Sequence, residues 1–378
     1  MSTHSPAPAI SLIVNTYMKP RHLGLVLDSI EHQTGVDGRL EVVISDDGST
    51  DETAALVARR AADAPFRLAF TSRPHDGFRL ARVRNDGARI ARGERLLFLD
   101  GDCLLPRDHV AVHLDRCQEG VATGGDCARL SEEQSRSIDP SALDQAAVRN
   151  LIPTAERRAL KRRLRKWRWY SLIRHPTKPR LVGNNICIHR RDYERVNGFD
   201  ERFVGWGQED DDITLRLRAA GVRLETVLDR TCSLHVWHPT DPTATARWRD
   251  GANVAYFLRR GRLTRCRQGL VPRAVHELAW RLPADLLDTA SGQGVARVVG
   301  TGQHTRSKSE IDLVIRPGIG TFRESRERGE CRVLIIEGNA RAEKNVRSAA
   351  DRTIHLPQPT AATELPDARL AEALDALG

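Results

Sequence analysis

The chain has no long apolar run. Nothing in its 378 residues approaches the roughly 18 consecutive apolar residues that a membrane-spanning helix needs. Met1 leads into Ser-Thr-His-Ser-Pro and not into a charged and then apolar leader. Both absences set the expectation of a cytoplasmic chain that is neither secreted nor inserted. CxxC pairs are also missing: seven cysteines stand apart at 103, 117, 127, 187, 232, 266 and 331. An odd, scattered set argues against a disulfide framework or a zinc site and for reduced thiols. No internal repeat or low-complexity tract is present. The formal charge of +9 favours anionic partners such as nucleotides, lipid headgroups or nucleic acid, without choosing among them.

What is present is alternation. ISLIVNTY (10–17) is a short apolar run with β-branched residues, which predicts a buried strand. RHLGLVLDSIEHQ follows with Leu23, Leu27 and Ile30 at helical spacing. EVVISDDGSTDET (41–53) repeats the scheme as a strand and an acidic turn, and ETAALVARRAAD predicts the next helix. FRLAFTS (66–72) predicts a third strand, ARVRNDGARIARG a helix closed by Gly93, and ERLLFLDGD a fourth strand. Strands interleaved with helices imply parallel crossovers and an α/β class, one mostly parallel sheet with helices on both faces.

Farther on, ERRALKRRLRKWRWYSLIRHPTKPR (156–180) is strongly basic, and LVGNNICIHR returns to strand character. GFDERFVGWGQEDDDITLRLRAAG ends in a helix stopped at Gly221, and RLETVLDRTCSLHVWHP predicts one or two strands. After about residue 260 the pattern weakens. WRLPADLLDTA predicts a helix, EIDLVIRP and CRVLIIEG predict strands, and the last twenty residues a short helix. These shifts divide the chain into a main domain at 8–260, with a basic insertion at about 140–180, and a smaller α/β region at 261–378.

Ligands of such sheets bind outside the carboxyl ends of the strands, and Asp46, Asp47, Asp100 and Asp102 all fall there. In LDGDC, two carboxylates flank Gly101, whose backbone freedom lets both turn toward a divalent cation or a ribose. A second acidic cluster, GWGQEDDD (205–212), has a bland reading as a helix N-terminus, where carboxylates meet the dipole and cap free N–H groups. That accounts for one or two acids. It leaves unexplained four in a row that repel one another, and the two glycines beside Trp206.

Taken in order, IVNTYMKP, VVISDDGSTDET, GFRLARVRNDGARIARGERLLFLDGDC, GNNICIHRRDYERVNGFDE, GWGQEDDDITLRL and HVWHP resemble the family 2 glycosyltransferases of the GT-A fold. The similarity covers roughly residues 8–245 and extends to galactosyltransferase-like and chondroitin-polymerase-like members. It implies inverting transfer of a sugar from a nucleotide diphosphate sugar to an acceptor hydroxyl of a glycan or lipid-linked glycan. It also implies a Mn²⁺ or Mg²⁺ ion on Asp102, completed by a histidine for which His235 and His238 both qualify. Asp100 would face the ribose or the metal's outer shell, Asp46 and Asp47 the base and ribose, and Thr16 would frame the base. Arg84 and Asn85 stand at the family's RN position near the donor. Asp210 matches the family's general base, with Glu209 beside it for a sugar hydroxyl; clustered acids raise one another's pKa. Trp206 offers a stacking face to the acceptor, and Asn184 and Asn185 offer hydrogen bonds. Asn15 and Met18 depart from the residues common in relatives, and no second transferase module follows.

Residues 157–168, RRALKRRLRKWR, carry eight basic side chains interleaved with Leu160, Leu164 and Trp167. This is either a solvated face or a peripheral contact with an anionic membrane, with tryptophan and leucine entering the interface at the inner face of the cell membrane. An anionic polysaccharide acceptor is a further use for the charge. A nucleic-acid-binding protein would leave both acidic turns idle and repelling phosphate, so no nucleic acid is expected. An inactive sugar-binding or scaffolding module of the same fold is the other rival.

Overall fold

The computed structural model describes residues 7–239, 251–281, 290–299, 310–315, 331–337 and 350–356. They fall in two compact units, divided between Phe257 and Leu258.

The first unit opens with β1 (Ile10–Thr16), α1 (Pro20–Glu31), β2 (Leu40–Asp46), α2 (Thr53–Asp63), β3 (Arg67–Ser72), α3 (Leu80–Ile90) and β4 (Arg95–Asp100). β1, β2 and β4 are rich in apolar residues and buried almost throughout because both faces of the sheet are covered. Leu12 and Val14 pack with Leu23, Val26 and Leu27 of α1. On the opposite face α3 comes so close that a Cβ on Gly87 would collide with Ile13. Then come β5 (Cys103–Leu104), α4 (His109–Arg116), β6 (Val121–Gly124), β7 (Cys127–Arg129), α5 (Glu132–Ser137), α6 (Gln145–Leu151) and α7 (Thr154–Leu172). β8 (Asn185–His189), α8 (Arg190–Arg195), α9 (Glu209–Ala219), β9 (Arg223–Thr226) and β10 (Ser233–His235) follow, with a further helix at Ala252–Phe257.

Seven strands form one sheet in the order β3-β2-β1-β4-β8-β6-β9. All pairs are parallel except those of β8, which runs against both β4 and β6. The α/β class with a mostly parallel sheet is therefore what the chain adopts. The reversal of β8 matters for function. It brings the amino end of β8 to the rim formed by the carboxyl ends of β1, β2 and β4, with Asn185 opposite Leu99.

A second ribbon, β5-β10-β7, lies past the end of β4. His235 sits opposite Cys103, and the Val236 N–H donates to the Asp102 carbonyl at 2.8 Å. These strands of two or three residues fold the HVWHP segment back onto LDGDC.

Helix α7 corrects one expectation. Leu160, Leu164 and Trp167 are its inward, half-buried side, with Leu160 packed on the core, so they are not free to enter a membrane. In the second unit, β11 (Trp280–Arg281), β12 (Ile311–Ile315), β13 (Cys331–Glu337) and β14 (Arg352–Leu356) form a parallel sheet in that order. Trp280 and Arg281 are thus strand where WRLPADLLDTA predicts helix, and 282–289 lie outside the described residues. The short helix expected near the C-terminus also lies outside them.

Candidate active site

Arg84 joins the two acidic clusters. Its guanidinium, on α3 and 1% exposed, donates to Asp210 Oδ1 at 2.7 Å, lies 3.5 Å from Glu209 Oε1, and reaches Asp100 Oδ1 at 3.4 Å. Burial by itself disfavours its charge, but Asp210, Asp100 and Glu209 outweigh that and hold its pKa above the ordinary arginine value. The strand that ends in LDGDC and the helix that begins with EDDD therefore share one cation.

The run of four acids is stable because it does not act as one group. Asp211 pairs with Arg180, and Asp212 with the buried Arg216 at 2.7 Å, leaving Glu209 and Asp210 to Arg84. Burial, then the adjacent Asp210 charge, pushes Glu209 up to about 8. The rise expected of clustered acids thus falls on Glu209, which keeps its proton at neutral pH. The glycines have a backbone reason: Gly205, Gly207 and Gln208 have φ of 82°, 89° and 74°, a left-handed turn that aims the helix N-terminus inward.

Asp102, His235 and His238 converge at the other end of the rim. Their ligand atoms lie within 4.8 Å of one another. His238 Nε2 is 3.2 Å and His235 Nε2 3.6 Å from the Asp102 carboxylate, which also accepts from Lys19 Nζ at 3.0 Å. Burial alone would raise Asp102; the His238 hydrogen bond, His235 and Lys19 overcome it and hold the carboxyl well below the usual range. Burial lowers His235, while the hydrogen bond to Asp102 raises His238. Asp100, held by Asn15 Nδ2 at 3.1 Å, is raised chiefly by burial.

On the β1–β2 side, the Asp46 carboxylate is used by the loop. It accepts from the Gly48 and Ser49 N–H groups and from the Ser49 and Ser72 hydroxyls. Asp47 is different. It is buried beside Arg73 and His75, yet its Oδ1 makes no hydrogen bond, and neither does the buried Thr16 Oγ1. Tyr17 stacks on His75, the neighbour of Asp47, with ring centroids 4.2 Å apart.

The other candidate side chains have partners of their own within the fold. Asn85 is fully buried, donating to the Phe199 carbonyl and Glu201 and accepting from the Tyr193 hydroxyl and the Phe199 N–H. Its amide is consumed by the core. Asn185 turns inward and meets His109 at 3.2 Å, and Asn184 donates to Cys127 Sγ. Trp206 stacks one face on Phe78 with centroids 4.6 Å apart, which leaves it half-buried.

Lys19 and Gly183 are site residues that sequence reasoning missed. Nothing local marks Lys19, whose contact spans 83 positions. Gly183 stands in GNNICIHR, and its N–H donates to Asp210 Oδ2 at 2.7 Å; a Cβ there would overlap the Asp210 carboxylate and Arg84.

Comparison with known proteins covers the same region. The model of glycosyl transferase family 2 matches residues 11–178, and that of the N-terminal domain of galactosyltransferase matches residues 162–238. Validoxylamine A glucosyltransferase of Streptomyces hygroscopicus subsp. limoneus is 31% identical over 237 residues, 58% of this chain and 49% of the relative. Chondroitin synthase of Escherichia coli is 23% identical over 233 residues, 58% of this chain and 33% of the relative. A solved mannosyltransferase from Pyrobaculum calidifontis, in complex with GDP-Man and Mn²⁺, covers 61% of this chain and 58% of its own at 23% identity and a TM-score of 0.44. The chain spans about half the length of the validoxylamine A glucosyltransferases it matches. The two family models overlap in the basic helix and end at the second histidine, and the region they match together, residues 11–238, belongs to the family 2 glycosyltransferases and includes their galactosyltransferase-like region.

Proposed function

We propose that this nucleotide-sugar-dependent glycosyltransferase moves a sugar from a UDP-sugar to a hydroxyl of a glycan or lipid-linked glycan, by one inverting displacement with Asp210 as general base. The observation that carries the reading is the single guanidinium of Arg84 bridging Asp100 and Asp210. It ties the donor end of the rim to the acidic helix that would meet the acceptor.

Asp47 Oδ1, which has the Arg73 charge 3.6 Å away but no hydrogen bond, and Thr16 Oγ1, also without one, support a base-binding recess, since buried polar atoms that make no hydrogen bond are uncommon. Asp46 then shapes the loop and need not touch the donor. Asp102 with His235 and His238 fits a divalent cation, and one carboxylate with two imidazoles suits Mn²⁺ better than Mg²⁺, which prefers an all-oxygen shell. A cation there supplies positive charge for the departing diphosphate. Asp210 is 25% exposed, so an acceptor hydroxyl can reach it. Glu209, protonated at neutral pH, can donate to a sugar oxygen. Seven free and buried cysteines support a cytoplasmic setting.

A panel of UDP- and GDP-sugars incubated with Mn²⁺ tests this without a known acceptor. Slow donor hydrolysis that needs the metal and vanishes in Asp102→Asn is expected. Donor binding with no hydrolysis or transfer would instead favour the inactive sugar-binding module.

A further inference from the structure

With Leu160, Leu164 and Trp167 facing inward, the outer side of α7 needs its own account. Arg158, Lys161, Arg162, Arg165 and Arg168 lie exposed along one stripe. The same stripe continues into Trp169, 59% exposed, and Leu172, 76% exposed, with Ile173 at the helix end 47% exposed. Among the described residues, Arg158, Lys161, Arg162, Arg165 and Lys166 have no ion-pair partner. Solvation explains a row of cations. It does not explain large apolar side chains gathered at the end of that row, where each costs free energy in water.

We propose that α7 is a membrane-docking helix, its cationic stripe seated on an anionic bilayer with Trp169, Leu172 and Ile173 entering the interface. Charge complementarity selects an anionic surface, and the apolar tip selects a bilayer over a polysaccharide, which would leave those side chains wet. The docking end is wired to the chemistry. From Ile173 the chain runs through Arg180, paired with Asp211, to Gly183, whose N–H donates to Asp210. The Pro179 carbonyl is held by Arg218 at 2.9 Å. A lipid-linked acceptor in that bilayer would arrive beside the base. The acceptor assignment rests on the function proposed above; the docking does not.

The test is co-sedimentation of the whole chain with vesicles of equal parts phosphatidylglycerol and phosphatidylcholine, against phosphatidylcholine alone, with donor hydrolysis measured separately in solution. Binding to the anionic vesicles only, released by salt, is expected. The triple variant Arg158→Glu, Arg162→Glu, Arg165→Glu should bind at least about a hundredfold more weakly. Trp169→Ser with Leu172→Ser should lose about tenfold or more. All these side chains are exposed, and donor hydrolysis should stay at the parental level in both variants. Equal binding to both vesicle types, binding to neither, or full binding by either variant overturns the proposal. So does retention on a soluble anionic polysaccharide without any vesicle binding. Vesicle binding by a parent that hydrolyses no donor supports the docking and counts against the enzymatic reading alone.

Discussion

Replacing Gly183 by alanine probes the geometry of the Arg84–Asp210 pair. The Gly183 N–H holds Asp210 Oδ2 at 2.7 Å while Arg84 holds Oδ1 at 2.7 Å. An added Cβ would sit closer than 3.0 Å to both carboxylate oxygens and to Arg84 Nη2, a separation that real Cβ atoms do not show. The obstructing atoms are side-chain ends, so the fold can yield, at the cost of about 1–3 kcal/mol typical of overpacking. The carboxylate must retreat by roughly an ångström, and a displacement of that size costs about a hundredfold in rate. That corresponds to ~2.7 kcal/mol of transition-state stabilisation. Steady-state release of UDP from the donor should therefore fall about a hundredfold in kcat, while the donor Kd from calorimetry shifts by no more than about threefold. Parental turnover in Gly183→Ala would show that the pair does not position the base. A loss confined to donor binding would place Gly183 in the wrong half of the site.

Glu209→Gln should remove an alkaline limb. In the parent, Glu209 loses its proton as pH rises through about 8, adding a negative charge beside Asp210 and Asp100, so kcat/KM falls; the glutamine variant should stay flat there. The folded state holds this proton more tightly than the unfolded chain. Its contribution to stability is therefore complete below the ordinary carboxylate range and lost as pH rises through about 8, a slope that denaturant titration would find reduced in the variant. Asn85→Ala removes the acceptor that the Tyr193 hydroxyl and the Phe199 N–H share and should cost about 2–4 kcal/mol in urea denaturation, with donor KM unchanged in the folded fraction. Asp47→Ala should weaken UDP binding by about ten- to a hundredfold with little effect on the unfolding midpoint.

The parts of the fold carried by local periodicity were legible. Short, mostly apolar runs mark β1, β2 and β4 because a covered parallel sheet needs no strict alternation, and Leu23, Leu27 and Ile30 mark α1. The short β5-β10-β7 ribbon and the reversed β8 were not legible, since strands of a few residues have no period and direction is set by what the chain must reach. In the site, Asp100, Asp102, Asp210 and the two histidines were singled out by motifs, and the fold brings Asp102 to the two histidines and Asp100 and Asp210 to Arg84. Asn85 carries the same motif signal as Arg84, yet its amide is used by Phe199, Glu201 and Tyr193, and no sequence pattern separates the two. Asn15 was a departure without a purpose until its amide was found on Asp100. Lys19 and Gly183 act across distant contacts that no window of sequence contains. The basic helix was recognised, but not which of its sides packs on the core, because leucine and tryptophan at helical spacing mark a half-buried stripe as readily as a membrane-facing one.

The convergence of Asp102 and Asp210 on one donor site is tested most directly by titrating UDP into the parent and into Asp102→Asn and Asp210→Asn, with and without Mn²⁺, and measuring donor hydrolysis on the same samples. Asp102→Asn should lose the Mn²⁺-dependent part of UDP binding, whereas Asp210→Asn should bind UDP as the parent does and lose about 10²–10⁴-fold in turnover. Undiminished hydrolysis by Asp210→Asn, or Mn²⁺-dependent binding intact in Asp102→Asn, would contradict the account.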